Sequence, residues 1–354
     1  MNGVLPMRAI FDLKHPAQVR FFEPVVRALE KEGAQILVTA RDKDETVLLL
    51  QEMGLEYQCI SHMASGFSGM GVELAARTVR MLALARRFKP DVLVARTGIT
   101  IGLVGRTLGI PCVVFDDTEF AWLQRDLSAG LATVICTGFG YGHEFPGKHL
   151  RFRAPPHLMY THPNRFCPDP VRLRRCGLDV GEPFVVLRFK AWRALHDRGV
   201  QGPTLRQIGK LCENLRPLAR PVISSERQMP QALRVFANPL PPGDMLHLLA
   251  HATLCIGEGS CTVAEAACLG TPSIFASPES RRGYLDALSQ DYGLVKTVQN
   301  LQEAAEQAYE WLADPARSEW AEAARKRLLH DCTDPLDFAV HVIRRWARDG
   351  GARQ

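Results

Sequence analysis

Residues 244–274 read DMLHLLAHATLCIGEGSCTVAEAACLGTPSI, and their order decides how the chain folds. A helical pattern leads into the apolar run TLCIG. Two glycines and small hydroxyl residues come next, then a second helical pattern and a second apolar run, PSIFAS. Helix, strand, helix, strand in succession predicts parallel strands joined by crossover helices.

The same rhythm extends in both directions. RAIFDL (8–13), QILVTA (35–40), EYQCI, DVLVAR, PCVVFDD and ATVICT read as six strands with helical stretches between them. The proline-rich stretch RFRAPPHLMYTHPNRFCPDP (151–170) has no period and reads as a crossing between domains. FVVLRF (184–189) and RPVISS restart the alternation, and helices fill most of the chain after PSIFAS. The expected fold class is α/β, with two Rossmann-like doubly wound parallel-sheet domains, 7–160 and 161–330, facing a cleft. A terminal helix over 331–350 is expected to fold back on the first domain. Ligands of such sheets bind beyond the carboxyl ends of the strands, so function is sought in those loops.

Composition narrows the classes. The 354 residues are 46% hydrophobic and 23% charged, as in a soluble globular protein. A net charge of +5, mostly from arginine, suits an anionic ligand or a membrane surface and is too small to argue for nucleic acid. Nothing approaches ~20 consecutive apolar residues. The start, MNGVLPMRAIFDL, lacks a secretory pattern, and its first six residues read as a dispensable extension. Ten cysteines, none with C-x-x-C spacing, read as reduced core residues of a cytosolic protein.

The turn after TLCIG carries the chemistry. Gly257 and Gly259 permit positive φ and close backbone approach. Ser260 or Thr262 can cap the next helix, whose N-terminal amides and dipole suit a diphosphate. Glu265 can accept hydrogen bonds from ribose hydroxyls. Ordinary turn chemistry competes: Thr262 and Glu265 have capping-box spacing, and Glu258 fits best facing solvent.

Residues 244–274 resemble the nucleotide-sugar segment of GT-B-fold proteins. These include the glycosyltransferases that add N-acetylglucosamine to lipid-linked muramyl peptide and the non-hydrolysing UDP-N-acetylglucosamine 2-epimerases. The resemblance implies diphosphate contacts from Gly259, Ser260, Cys261 and Thr262 and a ribose contact from Glu265. DLKHPAQVRFFEPVVRALEKEGAQILVTARDKDETVLLL (12–50) and LGIPCVVFDDTEFA (108–121) are similar to the family called domain of unknown function 354. That similarity runs from about Met7 to beyond Pro272 and implies a GT-B-like fold.

Other strand ends supply candidate partners. Asp12, Lys14, His15 and Gln18 lie on the first turn, where His15 offers a base or a phosphate partner, or caps the next helix. Asp116, Asp117 and Glu119 follow the fifth strand and are costly unless solvated or paired. One of them can take a proton from an acceptor hydroxyl, or Asp and Thr118 can cap a helix beginning near Glu119. Arg188 is placed to clamp a phosphate. Lys190, Trp192, Arg193 and His196 follow it; Ser225 and Arg227 end the next strand, and Ser277, Glu279, Arg281 and Arg282 follow PSIFAS.

Together these features point to transfer of a sugar from a nucleoside diphosphate, UDP first, to an acceptor hydroxyl on a glycan, a lipid-linked or a small molecule. The second half would take the donor and the first the acceptor. The helix end and Arg188 would stabilise the departing diphosphate, with no metal and no tightly bound cofactor. Epimerisation or hydrolysis of the same donor is the alternative, although the epimerase pattern puts an Asp after the fourth strand and VARTGIT has none. A non-catalytic nucleotide-sugar binder is the third reading. The segment ELAARTVRMLALARRF offers a cytoplasmic protein peripheral membrane contact, or packs as an ordinary crossover helix.

Overall fold

A computed structural model describes residues 6–43, 45–63, 66–119, 121–189, 203–225, 229–277 and 283–351. The chain divides into two compact units, Met1–Tyr160 with Thr333–Gln354, and Thr161–Cys332.

The first unit runs β1 (Arg8–Leu13), α1 (Pro16–Lys31), β2 (Gln35–Asp42), α2 (Thr46–Glu52), β3 (Tyr57–His62) and α3 (Gly66–Phe88). It continues with β4 (Val92–Arg96), α4 (Ile99–Leu108), β5 (Cys112–Asp116), α5 (Trp122–Leu131), β6 (Val134–Thr137) and β7 (His149–Arg151). Its seven strands are all parallel, in the order β3-β2-β1-β4-β5-β6-β7. The order reverses beside β1, where Ala9 pairs with Val92, and that reversal is the switch point of a doubly wound sheet. Strands β4 and β5 are buried at every residue, which is why VLVAR and CVVFD read as continuous apolar runs rather than alternating ones.

A helical turn, α6 (Leu158–Thr161), precedes α7 (Pro170–Arg175), β8 (Phe184–Phe189), α8 (Leu205–Leu215), β9 (Arg220–Ser225) and α9 (Met245–His251). Then come β10 (Leu254–Gly257), α10 (Ser260–Leu269), β11 (Ser273–Ala276), α11 (Gly283–Gln290), β12 (Val295–Val298), α12 (Leu301–Ala313) and α13 (Arg317–Asp331). The second unit's sheet is five-stranded and parallel, ordered β12-β11-β10-β8-β9. The last helix, α14 (Pro335–Gly351), packs on α1, β4 and β5 of the first unit. There Phe338 meets Phe152 at 5.3 Å, and Arg344 pairs with Glu32.

Two strands exceed what the sequence pattern predicts. β7 has three residues, HLR, and lies just before and within the stretch read as irregular. β12, VKTV, buries only its two ends. Both are edge strands, where shortness and polarity guard against pairing with another chain and erase the apolar signal. The cysteines also differ from expectation: Cys112, Cys136, Cys212, Cys255 and Cys268 are buried, but Cys59 and Cys167 are exposed. Burial pushes the Cys112 and Cys212 thiols up to about 12, so these behave as small hydrophobes.

Helix α3 presents Met70, Val72 and Val79 to solvent and buries Arg77 and Met81 against the sheet. No described helix is long and apolar enough to cross a membrane. Arg77 pairs with Asp12 of β1 and donates to Ser61 Oγ at 2.6 Å. Thr39 Oγ1 of β2 donates to the same Asp12 carboxylate at 2.9 Å. One ion pair thus ties α3 to three strands. Truncating one member leaves a buried charge without its counterion, so Arg77→Ala is expected to lose about 3–5 kcal/mol of unfolding free energy in urea. A loss below about 1 kcal/mol would show that the pair is dispensable.

Candidate functional site

In the second unit, the glycine turn is built against β8. The Glu258 N–H donates to the Arg188 carbonyl at 3.1 Å. A Cβ on Gly257 would sit 3.3 Å from that carbonyl oxygen and 3.4 Å from Arg188 Cβ, so glycine lets the two backbones close. Neither Gly257 nor Gly259 has the positive φ anticipated for it; Gly259 lies at φ −88°. Gly259 itself is the N-cap of α10, and no side chain caps this end.

The helix therefore begins at Ser260, which overturns both Ser260 and Thr262 as caps and removes the capping box between Thr262 and Glu265. Ser260 and Glu265 are each 6% exposed. Glu258 is half-buried rather than solvent-facing. A Cβ on Gly259 would meet nothing nearer than Thr262 Oγ1 at 4.0 Å. The fold does not need glycine there, and the missing side chain leaves the helix end approachable. An α-helix leaves its first amides without intrahelical partners, and the dipole adds partial positive charge.

Around this end, Arg188 Nη1 donates to Ser224 Oγ of β9 at 2.9 Å. Ser225 ends β9, and Ser277, just past β11, donates its N–H to the Val298 carbonyl. The Cys255 thiol is pushed up to about 12 by burial and then by the charge of Glu265. Arg227, Lys190, Trp192, Arg193, His196, Glu279, Arg281 and Arg282 lie outside the described residues.

In the first unit, the strand ends gather a second cluster. His15 is the N-cap of α1, its Nδ1 accepting from the Ala17 N–H at 3.2 Å, with Pro16 opening the helix. That bond occupies Nδ1 as acceptor, so the neutral ring carries its proton on Nε2. Lys14 is half-buried and donates to the Thr97 carbonyl at 2.7 Å. Burial lowers its pKa, with Asp12 opposing and Arg77 and Arg41 reinforcing the shift. Thr97 holds φ 57°, a left-handed conformation that a β-branched residue adopts only at a cost of about 1–3 kcal/mol.

The three acids past β5 have separate environments. Asp117 pairs with Arg96, the last residue of β4, and accepts from Thr118 Oγ1 at 3.0 Å. Arg96 also lies 4.9 Å over the Phe21 ring. Asp116 accepts from the Thr118 N–H at 3.0 Å and from the Tyr141 hydroxyl at 2.6 Å, so both its oxygens are engaged. Glu119 Oε2 accepts from the Gly142 N–H at 3.1 Å, while its Oε1 carries no hydrogen bond among the described residues. The helix expected near Glu119 begins instead at Trp122, with no side-chain cap at Ala121, so these acids shape a turn rather than cap a helix. Arg96, Tyr141 and Gly142 carry no sequence pattern that marks them, because their roles come from strands and loops distant in sequence.

Two parallel-sheet α/β units of this topology define the fold of the GT-B glycosyltransferases. Residues 7–139 match the family described as "Protein of unknown function (DUF354)", ending near β6 rather than beyond Pro272. The UDP-N-acetylglucosamine--N-acetylmuramyl-(pentapeptide) pyrophosphoryl-undecaprenol N-acetylglucosamine transferase of Salmonella arizonae is 28% identical over 309 residues, 79% of this chain and 81% of that protein. MurG of Acinetobacter baumannii superposes with a TM-score of 0.61 at 18% identity, over 96% of this chain and 99% of that one. The UDP-GlcNAc 2-epimerase of Methanocaldococcus jannaschii does so with a TM-score of 0.63 at 15% identity, over 88% and 94%.

The Arg96 side of the first unit's cluster has a titration signature. His157 is 3% exposed, and burial, then the Arg96 charge, pushes it down to about 3. Unfolded, it titrates near 6.5, so the unfolded chain takes up the proton first. Its contribution to stability is whole above about pH 6.5 and declines toward pH 3, by up to about 1.4 kcal/mol per pH unit. Urea unfolding from about pH 7.5 down to about pH 4 is expected to show this slope, flattened in His157→Asn; an equally steep fall in the variant would contradict it.

Proposed function

We propose that this chain is a glycosyltransferase that binds a nucleoside-diphosphate sugar, UDP-linked first among the choices, and passes the sugar to an acceptor hydroxyl. The observation that carries the reading is the uncapped start of α10 at Gly259, directly beyond β10 and open where a side chain would stand. The 28% identity to a UDP-N-acetylglucosamine-using transferase across 79% of the chain supports it.

The amides at Gly259, Ser260, Cys261 and Thr262 would receive the diphosphate, and Arg188 would add its charge. Glu265 would accept from the ribose, and Ser225 and Arg227 would lie on the nucleotide side. The bond between the anomeric carbon and the diphosphate oxygen breaks as the acceptor oxygen bonds to that carbon. The electron pair leaves with the diphosphate, stabilised by these fixed donors, so the charge needed does not require a metal. The acceptor proton goes to a carboxylate of the first unit. Glu119 is the best placed of the three, since Asp116 and Asp117 have both oxygens occupied. His15 would donate from Nε2 to a substrate oxygen. Acceptor chemistry is assigned only to class: a glycan, lipid-linked or small-molecule hydroxyl.

The 2-epimerase reading is weaker on one point. β4 ends at Arg96 and is followed by Thr97 and Gly98, neither an acid, and Gly98 admits no side chain, since a Cβ would lie 2.5 Å from Val114 Cγ2.

A melting-temperature panel with UDP-, GDP-, dTDP- and CMP-sugars tests binding, a ligand at about 100 Kd adding about 2.7 kcal/mol. Gly259→Asp sharpens it. Asp is a good N-cap and favours the helix, yet its carboxylate repels a diphosphate. The variant is expected to melt no lower than the parent and to lose the ligand-induced rise. A variant that keeps the full rise would remove the diphosphate from this helix end.

A further inference from the structure

Between β6 and β7 the chain makes a loop, residues 138–148, whose adjacent residues each hold one of the candidate acids. The Tyr141 hydroxyl donates to Asp116 Oδ2 at 2.6 Å, and the Gly142 N–H donates to Glu119 Oε2 at 3.1 Å. Asp116 in turn takes the Thr118 N–H through its other oxygen, which fixes the turn leading to Glu119. From the far side, Arg125 Nη1 donates to the Glu119 carbonyl at 3.1 Å.

The loop is itself held. Arg151 of β7 donates to the Tyr141 carbonyl at 2.5 Å and to the His143 carbonyl at 3.2 Å, and to Glu144 Oε1 at 2.6 Å. The His149 ring bridges Thr137 Oγ1 and Glu144 Oε2, both at 2.8 Å. The Tyr141 ring is 5% exposed and packs with Ala129, Ile135 and Phe145. Burial, and then the Asp116 charge, push its phenol far above the usual range, so it keeps its proton and acts as donor.

We infer that Tyr141 and Gly142 are positioning residues that aim the Glu119 carboxylate for proton transfer. This rests on the transferase reading above. The packing alone would be served by phenylalanine at 141. Gly142 is not in the left-handed region, so the backbone would accept a side chain. The reason for glycine is local: a Cβ there would stand 3.2 Å from Glu119 Oε2, too close for the carboxylate to stay where it is. The loop's purpose is thus written in the one contact that an alanine would disturb.

Gly142→Ala is the sharpest probe, because it shifts the carboxylate by a few tenths of an ångström and keeps the N–H. Tyr141→Phe removes only the hydroxyl. Gly130→Ala serves as control, since an added methyl there meets nothing within 4 Å. The assay follows nucleoside diphosphate release from whichever sugar of the four-nucleotide panel raises the wild-type melting temperature, with water standing in for the acceptor hydroxyl. Both loop variants are expected to lose kcat by about tenfold or more, with KM for the donor within about twofold. Gly142→Ala is expected to melt with the control. A folded Gly142→Ala or Tyr141→Phe protein whose kcat stays within about twofold of wild type overturns the inference alone. A wild-type protein that neither binds nor turns over any of the donors overturns the transferase reading and this inference with it.

Discussion

The bond from the Glu258 N–H to the Arg188 carbonyl closes the end of β10 onto β8, and everything proposed for the second unit depends on it. Because Gly257 has no side chain, the two backbones come close enough for that bond to form. The position that would carry a capping side chain over the next helix is itself a glycine, Gly259. α10 is preceded by a glycine at its N-cap, with its dipole and first amides just past the carboxyl end of β10. A helix end left this way is favourable only with water or an anion against it. The same glycine turn that ends the strand therefore forms the helix end proposed to take the diphosphate.

In the first unit, cost is controlled by pairing. Asp12 with Arg77 is a buried pair and Asp117 with Arg96 a partly buried one, each helped by a hydroxyl donor. Among the described residues Lys14 forms no ion pair, and its ammonium donates to the Thr97 carbonyl. Against that background, Glu119 stands out: half-buried, two residues past Asp117, and hydrogen-bonded among the described residues through Oε2 alone. Burial and pairing thus distinguish the carboxylate proposed as proton acceptor from those that hold the strand ends in place.

Most of the architecture could be read from the chain because parallel strands buried on both faces make conspicuous apolar runs. DVLVAR and PCVVFDD show it at once. HLR and VKTV do not, since edge strands are short and half-polar for good reason. The glycine turn was legible as a turn between a strand and a helix, but its detail was not. Thr262-x-x-Glu265 has the spacing of a capping box, and only the three-dimensional start of the helix at Gly259 shows that the spacing is coincidental. Likewise the run Asp116–Glu119 declares three acids, while the partners that distinguish them, Arg96, Tyr141 and Gly142, come from β4 and from a loop some twenty residues on. Sequence records the charges. Long-range contacts assign their work.

The central claim concerns where a diphosphate would bind, and backbone amide spectra report on that directly. With the protein labelled in nitrogen-15 and titrated with UDP, the largest amide shifts are expected at Gly259, Ser260, Cys261 and Thr262, with saturation. Saturable shifts confined to other strand ends, or a spectrum unmoved by UDP and by GDP, dTDP and CMP in turn, would contradict it.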